Sequence, residues 1–160
     1  MTNNYFSQDR NVELSTLYYI ETAVANDWSN VSVIKTFPNY DKLQVPVIAI
    51  RLLSIDSSRY EIGNRSLSDN YTFTVDIFAK SDGQRIDLAS YIKNKLSDNW
   101  TYYQHSHVSG DPDSFNRIDA GKILWKEFIN NTKVDFGDGA STYDKFRHSI
   151  TFVVSYEPNA

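Results

Sequence analysis

Between residues 9 and 28, Leu14, Leu17, Ile20, Val24 and Trp28 recur three or four positions apart, the spacing that lines one face of an α-helix. Ser7 or Asp9 can cap its start with a side-chain oxygen. Residues 31–37 and 45–53 are rich in β-branched side chains and are separated by Pro38, Asn39, Tyr40, Asp41 and Lys42, so they read as two strands and a turn. Pro46 has no ladder donor, which places the start of the second strand at an edge or before regular pairing. The clearest alternation follows. Tyr71, Phe73, Val75, Ile77 and Ala79 share one face, and Thr72, Thr74, Asp76 and Lys80 take the other. Phe78 breaks this rule, which predicts that the polar face is partly covered by a helix or by another copy of the chain.

Residues 59–65, with Tyr60, Ile62 and Gly63-Asn64, precede a polar turn at residues 66–70, so this segment reads as a hairpin with a polar tip. Ser81-Asp82-Gly83-Gln84 then supplies a turn and a cap, and Leu88, Ala89, Ile92 and Leu96 repeat at helical spacing. From residue 100 to 121 the pattern predicts a strand fragment giving way to a long polar loop around Gly110-Asp111-Pro112. Residues 122–129 and 146–156 read as strands, and residues 130–145 between them as a hairpin with a long arm.

The 160 residues suit a single domain spanning 1–160, with no repeat and no linker inside it. Hydrophobic residues make up 41% and charged residues 22%, which excludes a disordered chain. The formal charge of −4 lacks the basic excess of a nucleic-acid reader. Cysteine is absent, so disulfides, thiolate metal sites and cysteine nucleophiles are all excluded. The first ten residues lack the basic start and apolar stretch of a secretion signal, and no apolar run approaches the roughly 20 residues that span a bilayer. The expectation is a soluble chain with no membrane partner.

Candidate chemistry is sparse. His105 and His107 lie two apart and would share a strand face, with Asp111 or Asp113 as an imaginable third metal ligand; two polar residues in a polar segment fit an ordinary strand better. Asp135-Phe136-Gly137-Asp138-Gly139 lacks the alternating ligands of a calcium loop and the companion motifs of a kinase, and reads as turn chemistry. Asp56, Glu61, Asp76 and Glu127 could in principle form a carboxylate pair, but their spacing places no two together. No enzyme, metal or cofactor is expected. The aromatic content of 14% exceeds what one small core needs, which leaves rings for protein interfaces or for stacking on sugars.

From residue 45 to 96 the order is a strand, Tyr60-Glu61-Ile62-Gly63, the strand Tyr71-Thr72-Phe73-Thr74-Val75-Asp76-Ile77-Phe78-Ala79, a short turn, and Gln84-Arg85-Ile86-Asp87-Leu88-Ala89. The chain closes with Asp144-Lys145-Phe146-Arg147-His148-Ser149-Ile150-Thr151-Phe152 as a final strand. In these segments, about two thirds of its length, it resembles the tail-terminator, or tail-completion, proteins of tailed bacteriophages. The resemblance implies an α+β subunit: a twisted, mainly antiparallel sheet flanked by two helices, with long β-hairpin arms. It further implies a homohexameric ring in the virion, made in the host cytoplasm and seated at the neck, where it stops tail-tube polymerisation. Such a ring joins the tail tube protein to the head-to-tail connector protein while DNA passes through its lumen unbound.

A ring subunit must offer two different surfaces to identical neighbours, and hairpin arms at residues 59–71 and 129–147 suit that role. Arg59, Tyr60, Arg65, Tyr71, Phe136, Tyr143 and Arg147 are the candidate interface residues. Six copies would carry six times −4, or −24, so an acidic lumen that repels DNA is expected. The alternative from a different class is a carbohydrate-binding module with an exposed row drawn from Trp100, Tyr102, Tyr103 and Trp125.

Overall fold

The computed structural model describes residues 5–35, 44–59, 67–135 and 145–159, without the side chains of Leu67, Pro112 and Asp113. Its elements run α1 (Gln8–Asp27), β1 (Ser32–Lys35), β2 (Val47–Arg59), β3 (Leu67–Phe78), α2 (Asp82–Leu96), β4 (Trp100–Val108), β5 (Asp111–Val134) and β6 (Arg147–Pro158). The fold is α+β, with the six strands in one twisted, curled sheet in the order β1-β2-β3-β6-β5-β4. β1 joins β2 in parallel, and the β2–β3, β3–β6, β6–β5 and β5–β4 pairings are antiparallel.

Both helices start where capping chemistry allows. Ser7 Oγ accepts the Arg10 N–H at the head of α1, and Ser81 Oγ accepts the Gln84 N–H at the head of α2 while Gln84 Oε1 takes the Lys80 N–H. Leu88, Ala89, Ile92 and Leu96 of α2 and Val12, Ile20 and Val24 of α1 enter one core with Tyr71, Phe73, Val75 and Ile77 of β3 and Ile150, Phe152 and Val154 of β6. The helices therefore share one face of the sheet instead of bracketing it. α1 reaches both edge strands: the Glu13 carboxylate pairs with Lys35 of β1, and Ser15 bonds the backbone of β4. The sheet curls around this helix so that its two edges both meet it.

Three expectations change. Residues 101–121 form strands, not a loop: β4 and β5 make a hairpin about the Ser109–Gly110 turn, with Gly110 at φ 83°. Strand β2 runs to Arg59, where Leu67 pairs with it, so the first hairpin arm is a regular ladder up to its tip. Phe78 is fully buried on the helix-free face, and its cover comes from its own chain: Val47, Ala49, Ile34, Val45 and the Arg147 guanidinium 5.1 Å above its ring.

Candidate functional site

The expected interface residues fall into three groups. Arg59 ends β2 in an exposed position. Tyr60, Arg65, Phe136 and Tyr143 lie outside the described residues, as does Glu61. Tyr71 and Arg147 are structural. The Tyr71 ring is fully buried, and its hydroxyl donates to Asp9 Oδ1 and accepts from Gln8 Nε2, both at 2.9 Å. Burial, with the Asp9 carboxylate beside it, pushes that phenol far above its usual pKa, so Tyr71 is a core tyrosine with no surface to offer a neighbour. Arg147 holds the buried Asp76 carboxylate across the β3–β6 ladder, with Nη2 3.0 Å and Nε 3.4 Å from Oδ1. Arg51 of β2 approaches the other oxygen at 3.7 Å, so a carboxylate only 3% exposed lies between two guanidinium groups. Thr74 bridges to Ser149 and Thr151 at 3.4 Å, so hydroxyls lie beside this paired acid on the helix-free face.

The imagined metal site does not assemble from its residues. His105 and His107 both contact the Phe115 ring, as alternation requires, but His105 is fully buried while His107 is exposed beside Phe6. His105 Nδ1 is 3.1 Å from Asn11 Oδ1, and burial, aided by Arg117 and Arg10, lowers its pKa to about 4. Asp111 binds Ser114 Oγ, and the Asp113 side chain is outside the described residues. The aromatic row fails for a similar reason. Trp100 and Tyr102 point into the core, at 4% and 2% exposure, stacking on Tyr19 and Tyr156, and only Tyr103 and Trp125 remain half-exposed. A cavity of about 380 Å³ lies beside Tyr103 and is lined by Tyr18, Asn26 and Lys95, but the Tyr19 hydroxyl there is already committed to the Lys95 carbonyl.

The feature with chemistry to offer a partner is the backbone itself. β4 lies at one edge of the sheet, yet its edge groups are occupied: His105 N–H donates to Asn11 Oδ1 at 3.0 Å, Tyr103 N–H to Ser15 Oγ at 2.9 Å, and the His105 carbonyl accepts from Phe6 N–H at 3.0 Å. Asn11 and Ser15 are four apart on α1 and nearly unexposed. A four-residue polar spacing beside Val12, Thr16 and Ile20 was the sequence signal for this clamp, and an apolar-only stripe misses it.

Further along the sheet, β2 and β5 each leave a stretch of edge open among the described residues. β1 covers β2 only from Val47 to Ile50, and residues 53–59 beyond it are exposed. β4 covers β5 only as far as Ile123, and Asn99 Oδ1 takes the next free donor, Trp125 N–H, at 3.2 Å. Residues 126–134 then pair with β6 on one side and with no described strand on the other. These open edges lie on opposite sides of the block β2-β3-β6-β5, and β2 and β5 run in opposite directions.

Comparison with protein-family models and with curated protein sequences finds no match.

Proposed function

We propose that this chain is a structural subunit resembling phage tail terminators: it assembles head to tail into a closed ring, homohexameric in that family, and works by shape and buried interface without covalent chemistry. The observation that carries the reading is the pair of open strand edges. They are non-identical, lie on opposite sides of one sheet, and run in opposite senses, so the same rotation can join each copy to the next through antiparallel strand addition. The blocked β4 edge removes the competing pairing. In the particle such a ring belongs at the tail–neck junction, between the tail tube protein and the head-to-tail connector protein.

A ring built this way turns one sheet face toward its lumen. The helix layer, about 10 Å thick, fits the wider outer circumference, which leaves the face of Thr72, Thr74, Ser149, Thr151, Asn130 and Thr132 inward. By register that face also carries exposed Asp56 and Glu127 beside Arg51 and Arg147, and its buried acid is paired with both guanidinium groups, so DNA meets a polar wall of mixed charge. Such a wall lacks the concentrated basic patch that grips phosphates.

Size-exclusion chromatography with light scattering, followed by electron microscopy of the peak, tests the assembly. Rings at micromolar concentration, and shorter tubes when the protein is added to polymerising tail tube protein, are the expected results. A monomer at tens of micromolar that leaves tube length unchanged overturns the reading.

A further inference from the structure

We infer that neighbouring copies join by pairing residues 51–58 of one β2 with residues 127–134 of the next β5, antiparallel, with Ser54 opposite Thr132, Asp56 opposite Asn130 and Ser58 opposite Glu127. This rests on the ring reading and specifies its contact. The four corners of the block β2-β3-β6-β5 are not equivalent. β1 covers β2 along residues 47–50, and β4 covers β5 as far as Ile123, at diagonally opposite corners. The open stretches occupy the other two corners. Along the covered diagonal the sheet curls toward α1, which meets both β1 and β4. A twisted sheet is saddle-shaped, so it bends the opposite way along the open diagonal, away from the helices. Copies joined corner to corner therefore close around the helix-free face.

Occupied edges and side-chain alternation fix the register. β1 ends beside Ile50, and Asn99 holds the Trp125 N–H, so pairing is confined to β2 from residue 51 upward and β5 from residue 126 upward. Leu53 lies in a bulge of β2, and Lys126 and Ile129 lie in bulges of β5. With these passed over, each opposed pair from 51/134 to 58/127 sets both side chains on the same face of the sheet, as an antiparallel ladder requires. A slip of one position breaks that match throughout. A slip of two positions one way lays residues 133 and 134 on the part of β2 that β1 holds and sets Ser57 against Trp125; the other way, Arg51 and Leu52 lose their partners. In the fitted register the rung Leu52–Phe73–Phe152–Phe128 meets Ser57 of the next copy, four ladder positions along β2 from Leu52. Four positions of about 3.3 Å over four strands about 4.8 Å apart tilt the strands by about 35°, a tilt that closed barrels adopt. Six copies, the number the ring reading carries, then enclose a backbone circle about 45 Å across, about 35 Å clear between side chains.

The chain has no cysteine, and Ser54 and Thr132 are both exposed, so paired cysteines report the contact without disturbing the core. In the full chain, Ser54→Cys with Thr132→Cys, oxidised after assembly, should give a ladder of reducible multimers up to the closed ring, and neither single variant should. Directly opposed positions bring Cβ atoms as close as about 4.5 Å, which a disulfide spans, and diagonal positions stay about 7 Å apart. Ser54→Cys with Asn130→Cys, which a two-position slip would oppose, should therefore stay uncross-linked. Electron microscopy of the unmodified ring should show an inner wall about 45 Å in diameter. Rings that cross-link at 54/130 instead, or at neither pair, overturn the register while leaving the ring reading intact. An unmodified chain that stays monomeric overturns both.

Discussion

At the scale of single residues, three positions hold consequences that their neighbours decide. A Cβ on Gly121 would lie 2.3 Å from the Glu157 carbonyl and 2.8 Å from the Tyr156 ring, so Gly121→Ala should cost about 2 kcal/mol by overpacking, read as a lower urea midpoint. Arg147→Ala strips the closer of two cations from a buried carboxylate and should cost about 3 kcal/mol. The double variant with Asp76→Ala should cost less than the two single changes added, because the second removes a group the first has orphaned. His105 supplies the pH dependence. Its folded pKa, about 4, lies below the ordinary 6.5, so the unfolded chain takes up a proton that the folded chain refuses. Stability present above pH 6.5 is therefore lost as pH falls toward 4, by about 2 kcal/mol between pH 7 and 5. Burial and Arg85 depress His148 as well, which adds in the same direction. His105→Gln should flatten the slope in urea titrations at the two pH values; an unchanged slope would place the effect elsewhere.

At the scale of elements, α1 is unusual in burying polar residues on purpose. Its inward face carries Asn11, Ser15 and Thr16 beside Val12, Ile20 and Val24, and the first two finish the ladder of β4. Replacing them by Asn11→Val and Ser15→Ala should remove about 2 kcal/mol, since the abandoned β4 groups are partly shielded from water. It should also expose a pairing edge, so light scattering should rise with concentration in the double variant and not in the parent. The α2 segment was readable from its cap and its apolar repeat, because both are local. The β4–β5 hairpin was not, because residues 114 and 116–119 of β5 are exposed on both faces and so carry no alternation to read. Their strand state comes from pairing with β4.

At the scale of the whole molecule, the net charge of −4 is a poor guide to what any one face presents. The helix-free face mixes Ser, Thr and Asn with the carboxylates of Asp56, Asp76 and Glu127 and the guanidinium groups of Arg51 and Arg147, with no basic excess, so the assembled protein should leave the electrophoretic mobility of duplex DNA unchanged at physiological salt. Retardation that weakens steeply with added salt would mean instead that phosphates are gripped. The curl of the sheet around α1 brings both outermost strands against that helix, which occupies the β4 edge, and leaves β2 and β5 each with an open stretch. A flat sheet of the same strands would offer β1 and β4 to a neighbour, and a different assembly would follow.

What the sequence determined alone were the features with local causes: two capped helices, the alternating strand from Tyr71 to Ala79, a chain without cysteine chemistry, and hairpin arms punctuated by Gly, Asn and Asp. Only the tertiary structure could decide which edges stay open. That depends on how far each strand outruns its partner and on which side chains reach across from a helix some ninety residues away. Tyr71 and Arg147 show the same division. Each is an aromatic or a cation of the kind that interfaces favour, and each is withdrawn from the surface by partners, Gln8 and Asp9 for one and Asp76 for the other, that lie more than sixty residues distant.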